Sequence, residues 1–171
     1  FAAYDSCLQW KDDNVAALNN YAYYISLKGK ELHKAEQMSF KTIKAEPKNG
    51  TYLDTYAWIL FMEERYHEAK IYIDQAIANL DSTQNNNTVI EHAGDIYAMN
   101  GLTEEALKFW KQSYDAGNKS EGIMTKIKNK RYITEEEIKR MTGGSAVTPD
   151  RKSQSRSGAK KNNKLRNGKK K

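Results

Sequence analysis

The side chains best equipped for chemistry in this 171-residue sequence are three histidines, one cysteine and a few acidic clusters. His33 and His67 each stand two residues ahead of an alanine, Ala35 and Ala69. They occupy equivalent turns and read as solvated turn histidines rather than metal ligands. His92 has no cysteine or His-x3-His companion to complete a zinc site. Cys7 is the sole cysteine, which excludes an internal disulfide and a thiolate zinc site. Glu63-Glu64, Glu104-Glu105 and Glu135 to Glu137 fall at turns or helix starts, where acids complement the helix dipole. No phosphate-cradling glycine loop, HExxH or GxSxG is present. The expectation is a non-enzymatic chain with no catalytic residue, no metal, no cofactor and no small-molecule substrate.

Charge offers a different chemistry. Residues 145–171 hold ten of the 28 basic residues: Arg151, Lys152, Arg156, Lys160, Lys161, Lys164, Arg166, Lys169, Lys170 and Lys171. Against them stands one acid, Asp150, so the tail carries +9 and the rest of the chain −3. Gly143-Gly144 marks the join. The tail has no aromatic residue and few large aliphatic ones, so it cannot offset an ordering cost of roughly 1–2 kcal/mol per residue. Residues 143–171 are therefore expected to be a disordered basic tail. Its cations can neutralise phosphates but cannot stack bases, which fits loose association with nucleic acid or an anionic membrane surface.

The elements that must position any site are helical. Ala, Leu, Lys, Glu and Tyr are common while Val and Thr are sparse. Hydrophobic residues make up 39% and charged residues 29%, with a mean hydropathy of −0.88, wet for a compact globule. The longest apolar run, Tyr56 to Met62, is far short of the ~20 residues of a membrane helix. No secretory leader appears. The chain opens at Phe1 and runs straight into helix-like sequence, which reads as a truncated N-terminus, so the compartment is left open.

The helices repeat. Leu18-Asn19-Asn20-Tyr21-Ala22-Tyr23-Tyr24-Ile25 lies over Leu53-Asp54-Thr55-Tyr56-Ala57-Trp58-Ile59-Leu60 at an offset of 35. Ile90-Glu91-His92-Ala93-Gly94-Asp95-Ile96-Tyr97 follows at 37. Each block is followed by a polar turn and then an alanine: Ala35, Ala69, Ala106. Leu18, Tyr21, Ala22 and Ile25 fall at i, i+3, i+4 and i+7, one helical stripe, and the other two blocks repeat it. Each unit thus reads as two amphipathic helices, with small residues allowing close approach.

This pattern resembles the tetratricopeptide repeat, whose period is 34 residues. It is also similar to the C-terminal repeats of bacterial multi-repeat proteins carrying Tyr-Ala-Trp and Gly-Asp-Ile blocks. The resemblance implies an all-α, right-handed α-α superhelix, a solenoid of three units. Its divisions are 15–49, 50–83 and 87–120, preceded over 1–14 by the second helix of a truncated unit. A helical cap over 121–142 and the basic tail follow. Cys7 stands where the family carries alanine and is expected to be a buried small side chain. Departures are an extra residue in the turn around Lys28-Gly29-Lys30, an Asn-rich insertion near Asn85 to Asn87, and Ser39 at a place usually large and apolar. In the cap, Thr134-Glu135-Glu136-Glu137 fits a capping box, and Lys126, Lys128, Lys130 and Arg131 suit a polar outer face.

In this family the first helices line a concave face that holds ligands, so the resemblance implies a binding surface. In the first unit its residues would be Asn19, Asn20 and Tyr23; in the second, Asp54, Trp58, Phe61 and Met62; in the third, Glu91, Asp95 and Met99. That set combines aromatics with three acids and no lysine. The implied function is a scaffold for protein-protein interaction. Its partner, a peptide or protein with apolar anchors and some positive charge, is expected to centre on Trp58. Association of the tail with nucleic acid or an anionic membrane surface is the alternative.

Overall fold

The computed structural model describes residues 14–143. Cys7, the partial unit before Asn14 and the tail cations from Arg151 to Lys171 lie outside the described residues. Among those described, all regular structure is helical. The described residues form eight helices: α1 Val15–Leu27, α2 Leu32–Ala45, α3 Gly50–Met62, α4 Tyr66–Ala78, α5 Asn87–Met99, α6 Thr103–Asp115, α7 Glu121–Asn129 and α8 Glu135–Gly143.

Side chains before the helices satisfy orphan amide donors at several starts. Asn14 accepts from the Ala17 amide at 3.1 Å, Asn49 from Tyr52 at 3.2 Å, Ser120 from Ile123 at 3.3 Å and Thr134 from Glu137 at 3.2 Å. Only half of the capping box around Thr134 forms, because the Glu137 carboxylate turns instead to Arg131, 2.7 Å away.

The first six helices pair as α1–α2, α3–α4 and α5–α6, and each pair packs on the next through α2–α3 and α4–α5. The first helices also meet one another, α1 with α3 and α3 with α5. The result is helical hairpins stacked in series, the general arrangement of an α-solenoid. The turns inside the hairpins share a feature. Gly29, Glu64 and Gly101 adopt φ of 64°, 62° and 78°, and they lie 35 and 37 residues apart, the offsets of the sequence blocks. The first turn, Lys28 to Glu31, is one residue longer than the other two and spends a second left-handed residue there, Glu31 at φ 53°.

Small residues mark where the helices approach. Ala22, Ala57, Ala35, Ala69 and Ala106 are wholly buried. Gly94 is the extreme case: a Cβ there would meet the Trp110 ring at 2.4 Å. Glycine in α5 therefore makes room for the indole of α6, and both are buried. The main cluster centres on α3, joining Leu53, Tyr56, Leu60 and Phe61 to Ile73 of α4 and Ile96 of α5. Ser39 is fully buried in α2, as its position requires, but its hydroxyl makes no hydrogen bond.

α7 packs on α6 through Ile123, which is fully buried beside Trp110 and Ala106. α8 folds back on α7. Lys126 does not face outward as a member of the cap's polar surface. It lies one turn after Ile123, on the same side of α7, and is buried with its ammonium against α5.

Candidate functional site

α1 packs on α3 and α3 on α5, and two side chains outside the expected set pair with the acids on these helices. The first is His92. Its Nδ1 lies 2.8 Å from Asp54 Oδ1, joining α5 to α3. Both side chains are 8% exposed. The His92 ring stacks on Trp58 with centroids 4.1 Å apart, and Trp58 stacks on Phe61 at 4.8 Å. Tyr23 of α1 approaches the other end, 6.3 Å from His92. An aromatic column therefore crosses all three first helices. Burial alone would lower the His92 pKa, but the Asp54 carboxylate outweighs it and holds the imidazole above its ordinary value. Burial, reinforced by Asp54, pushes the Tyr23 phenol up to about 12.

The second is Lys126. Its ammonium donates to Asp95 Oδ1 at 2.8 Å and to Glu91 Oε1 at 3.0 Å. Asp95 also accepts from Trp110 Nε1 at 3.0 Å, and Glu91 accepts from Asn118 Nδ2 at 2.8 Å. Burial would lower the Lys126 pKa, but the two carboxylates raise it, so the ammonium stays charged. Glu91 is held below the usual carboxylate range, Lys126 outweighing burial, while burial pushes Asp95 upward. Asp95 is thus the harder of the two acids to ionise.

The expectation of three acids and no lysine is corrected here. Asp54 and Asp95 are buried and paired, Glu91 is half-buried and paired, and a lysine sits among them. Desolvated carboxylates need partners, and these three find theirs inside the molecule. The face offers rings and hydrogen-bonding atoms rather than free negative charge.

The remaining expected residues are spread out. Phe61 is buried, Trp58 and Met62 are half-buried, and Asn20 and Met99 are exposed. Asn19 is buried with its Oδ1 lacking a hydrogen-bond partner, as is the Nε1 of Trp58. The end of the column is covered by Tyr132, from the connection between α7 and α8. Its ring meets Phe61 edge-on at 5.1 Å, and Lys126 Nζ lies 5.5 Å from its centroid.

Two signals could have revealed the missed residues. His92 precedes Asp95 and Met99 by three and seven residues, so it shares their stripe. Lys126 is the sixth residue of α7, as His92 is the sixth of α5. Among the described residues, no three His, Cys, Asp or Glu side chains gather as a metal site, and no helix is long and apolar enough to cross a membrane.

A scan against protein-family models finds no match, and a search of the curated proteins finds none either.

Proposed function

We propose that the chain is a tetratricopeptide-type solenoid, a right-handed superhelix of three hairpins, that binds a peptide or protein on the face lined by α1, α3 and α5. The observation carrying this reading is Trp58. It is a large ring left only partly buried in the middle of the stripe, with His92 on one side and Phe61 on the other. An indole held rigidly between two buried rings, with part of its edge still accessible, is suited to anchor an interface. With the acids neutralised from within, the partner is recognised by apolar or aromatic anchors and hydrogen-bonding groups rather than by positive charge. No step of catalysis is assigned. Titrating the full chain and Trp58→Ala with a panel of aromatic, aliphatic and basic peptides tests the reading, and equal affinities for the two proteins would refute it.

A second reading, association with an anionic surface, rests on the tail and gains one observation from the helical part. Lys34, Lys41 and Lys44 are exposed along α2 and make no ion pair among the described residues. With Gln37, Met38 and Phe40 they line an open hollow of about 400 Å³. Binding to anionic vesicles or RNA that disappears on deletion of 145–171 would support it.

A further inference from the structure

We propose that the connection Lys130 to Ile133 is a built-in occupant of the α1–α3–α5 face: Tyr132 holds the place that an aromatic side chain of the partner takes, and the partner binds by replacing it. This rests on the binding reading above and adds both the class of partner and its mode of entry.

Four observations converge. First, Tyr132 makes the contacts a ligand ring would make. It stands edge-on to Phe61, which is stacked on Trp58, and sits below the Lys126 ammonium. Edge-to-face and cation-π geometries both reward an aromatic ring over an aliphatic side chain.

Second, the segment reaches across the face rather than away from it. α7 packs on α6, yet Tyr132 touches Phe61 of α3. Ile133, 1% exposed, pins one end.

Third, apart from Ile133 the covering segment and the helix after it bury little. Lys130, the residue that turns the chain back after α7, is in the left-handed region at φ 54°, a conformation that disfavours any side chain. α8 buries none of its residues. Tyr132 itself is only half-buried.

Fourth, the covered face contains buried polar atoms that its occupant leaves unserved. Asn19 Oδ1 and Trp58 Nε1 have no hydrogen-bond partner. A buried unsatisfied group is unfavourable, so a segment whose backbone reaches these atoms has an advantage over the connection, which bonds neither. The partner is therefore an extended peptide or loop carrying Tyr, Phe or Trp in an uncharged setting.

The experiment compares wild type, Tyr132→Ala, Lys130→Gly and Trp58→Ala, all as the full chain. Each is titrated with neutral peptides bearing one aromatic residue and with leucine counterparts. A competing internal ring lowers apparent affinity by the fraction of time that the face is open, so Tyr132→Ala is expected to bind the aromatic peptides about 3–10-fold more tightly. Lys130→Gly removes the backbone penalty of the closed segment and is expected to bind about 2–5-fold more weakly. Trp58→Ala loses binding. Unchanged or weaker binding by Tyr132→Ala, with Trp58→Ala still defective, overturns the occupant and leaves the binding face standing. Aromatic and leucine peptides that bind equally overturn the partner class. Binding that Trp58→Ala does not affect overturns both readings. If Tyr132→Ala does not fold, Lys130→Gly decides: equal or tighter binding than wild type refutes the proposal.

Discussion

Lys126 Nζ sits 2.8 Å from Asp95 Oδ1, with 6% of the lysine side chain and 3% of the aspartate exposed. The two lie on α7 and α5, so this contact fastens the last described helices to the third hairpin. Losing one member of such a pair leaves a buried charge behind. Lys126→Met is expected to destabilise the chain by about 3–5 kcal/mol. Lys126→Met combined with Asp95→Asn should recover part of that loss, because the charge is removed and the Trp110 hydrogen bond keeps an acceptor. Urea unfolding measures both. A midpoint unchanged in the single variant would mean that water reaches Asp95 freely.

The His92–Asp54 pair makes stability depend on pH. The folded-state pKa of His92 is above its ordinary 6.5, so the fold binds the proton more tightly than the unfolded chain does. The contribution is complete below about pH 6.5 and is lost as pH rises through the folded value. The groups facing the imidazole are Asp54 from α3, Glu91 and Asp95 on its own helix and the Tyr23 phenol from α1, with Lys126 bound to the last two acids. Asp95, raised by burial, has its own window starting from the acid side. His92→Gln separates the two: its stability should stay flat from pH 6.5 upward where wild type declines. A wild-type profile flat over that range would show that the imidazole is neutral in the fold.

Much of this was legible in the sequence and some of it was not, for physical reasons. The helices and their pairing follow from short-range periodicity. Leu53, Tyr56, Ala57 and Leu60 recur on one stripe, and burial of that stripe in α3 needs no knowledge of distant residues. The turn around Gly29 could be counted one residue long directly from the spacing. What could not be counted was how charged groups choose partners. Asp54 and His92 are 38 positions apart, and Asp95 and Lys126 31. Neither pairing has a local signature, so the acids read as an open surface. Lys126 misled most because its neighbours Lys128 and Lys130 are exposed. Only the direction of its helix, set by burying Ile123, turns it inward.

The hairpin turns yield a stabilising substitution. Gly29 and Gly101 take left-handed φ values without penalty, while Glu64 takes φ 62° at the equivalent place. A side chain there crowds its own backbone, and helix C-termini favour glycine in this conformation. Glu64 is exposed and makes no ion pair among the described residues. Glu64→Gly is expected to stabilise by up to about 1 kcal/mol, less what glycine adds to the entropy of the unfolded chain. A raised melting temperature checks this, with Glu64→Asn expected to fall between the two. A loss of stability in both would show that the Glu64 side chain contributes more than its backbone costs.

Salt separates the two surfaces on which this chain could meet a partner. Trp58 contributes stacking and desolvation, which ionic strength barely touches, and its neighbouring charges are neutralised internally by Lys126 and His92. Replacing such an anchor with alanine commonly costs ~2 kcal/mol or more. Trp58→Ala should therefore weaken peptide binding by at least about thirtyfold, at both 50 and 200 mM salt. Binding through the tail behaves in the opposite way. Neutralising about six phosphates gives a steep salt dependence, so affinity for RNA or anionic vesicles should fall about a thousandfold over the same range, whatever occupies position 58. A partner whose affinity collapses with salt yet ignores Trp58→Ala would move the binding function from the helical face to the cations beyond Gly143. One that survives salt and is lost with Trp58 would place it on α3.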